Sequence, residues 1–220
     1  MTSSSLSSAV FQAFLQGFGI GAGLIIAIGA QNAHVLRTGL RGHHVALTVG
    51  ACIAVDVLAI AAGVAGMGAL IQQHAVLLAL ARWGGVAFLA WYGLGAALRA
   101  LRSDAVLATA TMGSPAPAPR AALAAVLAVS LLNPHMYLDT VVLLGALGGQ
   151  QPPGLQWWFA AGAALSSTLW FLTIGYGARL LAPWFARPLA WRCLDGLVAA
   201  VMWSLALALA LTPFTSSITP

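Results

Sequence analysis

The chain has 220 residues, of which 61% are hydrophobic and only 6% charged, with a mean hydropathy of +0.94 and a formal net charge of +5. Soluble domains carry about 25% charged residues, so this composition excludes a soluble globular protein and makes lipid the solvent for much of the apolar surface. The nine cations are all arginine and lie between apolar runs, so they read as orientation signals rather than a nucleic-acid surface.

The expected fold class is an all-α polytopic membrane protein. Six apolar segments run roughly over 10–35, 45–71, 75–98, 121–148, 156–180 and 190–212, each near the ~20 residues that cross hydrocarbon. No basic residue occurs in the first thirty, so the charged start of a signal peptide is missing and the first segment reads as a retained span. That span is interrupted at Ala30-Gln31-Asn32-Ala33-His34. Polar backbone there needs partners that lipid cannot supply.

The second span carries Asp56 at its centre, at a cost of about 2.5–3.5 kcal/mol on insertion scales. Its helix face, Cys52, Asp56, Ala59, Gly63 and Gly66, is small apart from the aspartate, which lets another helix approach closely and turns Asp56 inward. Arg82 and Arg99 flank the third span and could reach an intramembrane aspartate as ion-pair partners. The stretch 102–120, with Gly113-Ser114-Pro115-Ala116-Pro117-Ala118-Pro119 at its core, reads as a mobile linker between three-span halves at 1–101 and 121–220.

The fourth span repeats the interruption at Leu132-Asn133-Pro134-His135, with Asp139 six residues past Asn133. Pro134 has no N–H to donate and should kink or unwind the helix. Shifting the first half by 101 residues aligns Asn32 with Asn133 and His34 with His135. Three spans per half is an odd number, so related halves lie inverted, with broken first and fourth helices, as in many secondary transporters.

Arginines in the odd-to-even loops (Arg37, Arg41, Arg99, Arg102, Arg120, Arg179, Arg187 and Arg192) outnumber the single Arg82 opposite. That bias places those loops in the cytoplasm and both termini outside; if the glycine-rich first segment does not span, the count becomes five and the N-terminus lies inside. Trp83, Trp157 and Trp158 would mark the outer interface, and Trp184 and Trp191 the inner one.

The candidate substrate and coupling residues are therefore Gln31, Asn32, Asp56, Asn133, Pro134 and Asp139, with His34 and His135 as proton-relay candidates. Interhelical ion pairing and helix capping are the structural alternatives for the aspartates and amides. Asp104 and Asp195 are assigned no substrate role. Cys52 and Cys193 are expected to pack as small apolar residues. No metal, cofactor or nucleic acid is expected, and a homo-oligomer is left open.

Gly17-Phe18-Gly19-Ile20-Gly21-Ala22 followed by Ile28-Gly29-Ala30-Gln31-Asn32-Ala33-His34-Val35-Leu36-Arg37-Thr38-Gly39-Leu40 closely resembles the first-span signature of the LysE family of amino-acid exporters. Asp56 with Gly63 and Gly66, Trp83 to Gly93, and Asn133 to Thr140 resemble its second, third and fourth spans, the last in the form of the arginine-exporting branch. The similarity runs from about Phe14 to Leu209, with a Pro/Ala-rich linker and Arg82 as departures. The resemblance implies export of L-arginine, with L-lysine and analogues such as canavanine, from the bacterial cytoplasm through the inner membrane.

The residues themselves agree on substrate charge: two carboxylates and no lysine suit a cation. Expelling a cation from a negative interior costs about 2.3 kcal/mol per charge per 100 mV, so a uniporter would accumulate it, and proton antiport is the expected mechanism. The alternatives are an exporter of a divalent metal ion or of another small amino acid and, more remotely, a membrane thiol-redox protein using Cys52 and Cys193.

Overall fold

The computed structural model describes residues 3–26, 29–67, 75–101, 116–133 and 136–211. Helix α1 (Ser3–Ile25) is followed by α2 (Ala30–Arg41) and α3 (Val45–Ala62), which widens into a π-turn at Gly63–Met67. Next come α4 (Ala75–Ala100) and α5 (Pro119–Leu131). A π-helical stretch, Tyr137–Leu144, then runs into the short α6 (Gly145–Gly149). The chain closes with α7 (Gln156–Gly177), 3-10 turns at Ala178–Leu181 and Trp184–Ala186, and α8 (Pro188–Leu211).

Four stretches among the described residues are long and apolar enough to cross a membrane: Leu6–Ile25, Val45–Gly66, Gln156–Leu181 and Pro188–Ala208. Val86–Ala100, Pro119–Leu131 and Tyr137–Gly149 are shorter apolar helices. The molecule is a helical, multi-pass membrane protein.

The second expected interruption is visible at Asn133, but the first falls at Gly29, one residue before the expected Ala30–His34, which is helical because it forms the first turns of α2 behind its N-cap Gly29. Gly29 is extended (φ −123°, ψ 176°), so α1 and α2 are separate helices rather than one span. Helix α2 ends at Gly42, whose left-handed φ of 74° lets its N–H return to the Thr38 carbonyl at 2.9 Å. A residue with a Cβ would be strained there. In the fourth segment α5 begins with Pro119 in its first turn and stops at Leu132, and Asn133 is non-helical and buried. Pro134 and His135 lie outside the described residues. Beyond them the helix resumes with π spacing, which is common beside functional sites.

Lipid supplies no hydrophobic drive between helices, so close packing of small residues must hold the bundle together. Helix α1 crosses α7 where Gly17 meets the Phe159 backbone and Gly162 meets that of Phe14. A Cβ on either glycine would stand 2.0 Å from a carbonyl oxygen. Gly63 and Gly145 bring the α3 end against the π-helical segment in the same way, with Gly63 against the Val141 backbone. The small face expected on the second span is used at Gly63; Gly66 instead kinks the chain at φ 105° and is exposed.

Three apolar clusters result. One joins α2, α4 and α8 around Ala30, Leu89, Val198 and Met202. Another joins α2, α3, α5 and α7 around Val35, Val49, Cys52, Val126 and Phe171. The third joins α1, α3, the π-helical segment and α7 around Ile60, Leu144 and Phe159. Trp83, Trp157, Trp158 and Trp184 are exposed, whereas Trp191 is buried and donates its indole N–H to the Phe185 carbonyl at 2.8 Å. Cys52 is buried as a packing residue; Cys193 is exposed.

Candidate functional site

Between the three clusters lies a cavity of about 320 Å³, at the small end of the range for ligand pockets. Gln31, Asn32, Asp56, Asn133 and Asp139 all line it, set among Leu24, Leu89, Phe171, Met202 and Leu205. Five positions drawn from three separate stretches of sequence therefore meet at one place. The two amide-bearing stretches lie beside the breaks at Gly29 and Asn133.

Asp56 is almost fully buried, yet its partners are neutral. The Ser167 hydroxyl donates to Oδ2 at 2.7 Å, and the Gln31 amide approaches Oδ1 at 3.5 Å, the long limit of a hydrogen bond. Such donors hold a carboxylate in place without cancelling its charge, so the cavity wall stays attractive to a cation. Asp139 enters from the first turn of the π-helical segment, and Thr140 beside it is buried on the same wall. Among the described residues, no arginine lines the cavity.

Asn32 holds the first break together. Its Nδ2 donates to the Ile25 carbonyl at 2.8 Å, across the gap from α1, and its Oδ1 accepts the Trp170 indole N–H at 3.3 Å. The Tyr92 hydroxyl donates to the Ala30 carbonyl at 3.3 Å, tying the start of α2 to α4. His34 is half-buried on α2 and is not part of the cavity lining.

Three participants had a weaker signal in the sequence. Ser167 belongs to Ser166-Ser167-Thr168, a hydroxyl run in an otherwise apolar span, and Trp170 follows one turn later. Asp195 is the clearest surprise. It is buried and bonded to two arginines, Arg37 and Arg99, the latter through Nε at 3.2 Å. Arg99 therefore has a carboxylate partner in α8. The side chain of Arg82 lies outside the description.

A family model described as "LysE type translocator" matches residues 22–212, nearly the whole chain. The chain belongs to the LysE type translocator family. Its curated relatives include proteins named arginine exporter protein ArgO. The one from Yersinia enterocolitica is 44% identical over 200 residues, covering 90% of this chain and 95% of the relative. The one from Serratia proteamaculans is 43% identical over 90% of this chain and 95% of its own length. That of Pectobacterium carotovorum is 41% identical, with 91% and 98% covered. No solved structure matches. Family membership makes the chain a transporter rather than an enzyme.

Proposed function

We propose that this protein exports L-arginine, together with L-lysine and analogues such as canavanine, from the bacterial cytoplasm across the inner membrane. The observation that carries the reading is the cavity whose polar lining is Gln31, Asn32, Asp56, Asn133 and Asp139, in a chain over 40% identical to proteins named arginine exporter. Two carboxylates in an apolar wall favour a guanidinium or ammonium side chain. The amide side chains of Gln31, Asn32 and Asn133, with the backbone freed where Pro134 can donate no hydrogen bond, would bind the two ends of a zwitterion.

Export is by exchange for a proton. One cavity carboxylate alternately holds the substrate cation and a proton, so a one-for-one cycle moves no net charge and draws on the pH gradient. Without that exchange, each 100 mV of inside-negative potential opposes the outward cation by about 2.3 kcal/mol. His34 and His135 serve as proton relays on the two broken segments.

The chain makes six crossings, in inverted halves 1–101 and 121–220 joined by the linker 102–120, with the arginine-rich loops in the cytoplasm and both termini outside. The packing supports a correspondence between the halves. Under exchange of halves the α1–α7 pair maps onto the contact of the fourth segment with α3, and the α4–α8 pair maps onto itself. Glycine-mediated close approach occurs in both members of the first relation. Accessibility of single cysteines at the termini and loops, read from each side of the membrane, tests the six-crossing plan.

The deciding experiment is efflux of radiolabelled arginine and lysine from cells loaded with an arginine dipeptide, with and without the protein and with an uncoupler. Faster, uncoupler-sensitive arginine efflux is expected. Unchanged efflux of both amino acids from cells with inserted protein would refute the substrate assignment, and uncoupler-insensitive efflux the proton coupling.

A further inference from the structure

Asp195, Arg37 and Arg99 come from three different helices, α8, α2 and α4, each of which also lines the cavity. Arg37 lies five residues past Asn32 on α2, and Asp195 six residues before Val201 on α8, which is about 7–9 Å along each helix axis from the cavity wall. Arg99 lies ten residues past Leu89 on α4, about 15 Å along that axis. All three displacements run toward the arginine-rich ends of their helices. The cluster therefore stands between the cavity and the arginine-rich face.

The Asp195–Arg37 pair is enclosed, while the Arg99 side chain is partly exposed. The side chains of Asp195 and Arg37 are 4% and 14% exposed. Nearby, Arg192 on α8 donates from Nε to the Ala100 carbonyl at the end of α4, at 3.0 Å. Helices α4 and α8 pack along their lengths, and α2 joins them through Ala30 and Ala33. The aspartate thus draws the broken half-helix α2 onto the α4–α8 pair.

We propose that Asp195 with Arg37 and Arg99 forms the inner gate of the transport path, an ionic latch that closes the cavity toward the arginine-rich side and must part for each substrate to enter. Two guanidiniums on one carboxylate leave an excess positive charge in the closed latch. That charge opposes the passage of cations, including the inward leak that an inside-negative potential would drive through an open exporter. The latch rests on reading the chain as an exporter with one central cavity, but not on which cation it carries.

The test uses the full-length protein with Cys52→Ala and Cys193→Ser and one reporter, Leu205→Cys, on the cavity wall. Inside-out vesicles are treated with a membrane-impermeant sulfonated maleimide, and the labelling rate is read. Asp195→Asn and Arg37→Gln should each speed labelling by at least about tenfold. They change the local charge in opposite directions, so a mere effect on the anionic reagent would split them. The swap Arg37→Asp with Asp195→Arg should restore slow labelling, which general misfolding would not. A second arm links Arg37→Cys to Asp195→Cys with a reducible thiol crosslinker; export should stop and return on reduction.

Unchanged labelling in inserted Asp195→Asn and Arg37→Gln proteins, or full export by the crosslinked protein, would overturn the latch. If Asp195→Asn does not insert, Arg37→Gln and Arg99→Gln carry the first arm. The labelling needs no amino acid, so failure of the arginine assignment leaves it readable and distinguishable.

Discussion

Among the described residues two aspartates are buried, Asp56 on α3 and Asp195 on α8, and their surroundings differ. Asp56 meets a serine hydroxyl and a glutamine amide beside an open cavity. Asp195 meets two arginines in a closed cluster. Neutral donors orient a carboxylate while leaving its charge available to a ligand; fixed cations consume that charge and convert it into a tie between helices. Burial alone therefore says little about an intramembrane acid. Its partners decide whether it serves cargo or structure.

The sharpest way to break this contrast is to neutralise each aspartate in turn. Asp56→Asn and Asp139→Asn should each reduce arginine export by roughly 100-fold, as expected for loss of one member of a desolvated charge pair, with membrane insertion unchanged by immunoblot. Normal export by both would end the view of the cavity carboxylates as cargo groups. Asp195→Asn should instead lower thermal stability in detergent and open the inner face, by the labelling described above.

Packing supplies the next test. Gly162→Val places branched carbons against the Phe14 backbone, where even a Cβ stands 2.0 Å from the carbonyl oxygen. It should cost about 1–3 kcal/mol or more, seen as a lower melting temperature and poor yield, while Gly19→Ala, whose Cβ meets nothing within 4 Å, should be tolerated.

Smaller effects should grade the cavity wall. Ser167→Ala removes the 2.7 Å bond to Asp56, a loss of about 1.5–3 kcal/mol for a bond to a charged group, or roughly tenfold or more in arginine affinity. Ser167→Thr should rescue part of it. Trp170→Phe deletes one neutral bond to Asn32 and should cost about 1 kcal/mol, a few-fold in transport rate. Equal losses from both substitutions would show that the charge on Asp56 is not what distinguishes the site.

Much of this was legible in the residues. The breaks at Gly29, beside Asn32, and at Asn133 announce themselves because an amide, a glycine or a proline in an apolar run leaves backbone groups that lipid cannot satisfy. Asp56 and Asp139 are conspicuous for the same reason, since a charge in hydrocarbon must have a protein environment. The π-helical winding of Tyr137–Leu144 was not legible: it depends on how the chain recovers its hydrogen bonds beyond Asn133, which spacing does not encode. The extension of α2 to Arg41, past the end expected near residue 35, also follows from a local stop at Gly42 rather than from hydropathy.

The sequence by itself determined that this chain lives in a membrane, that it is helical, where its two interruptions fall and which acids are out of place. Those properties come from transfer free energies and backbone chemistry, which act residue by residue. Tertiary structure alone decided that Gln31, Asn32, Asp56, Asn133 and Asp139 share one cavity, that Ser167 serves Asp56, and that Arg37 and Arg99 converge on Asp195. Those are relations across 25 to 158 positions of chain, and they exist only because small residues let particular helices approach along particular faces.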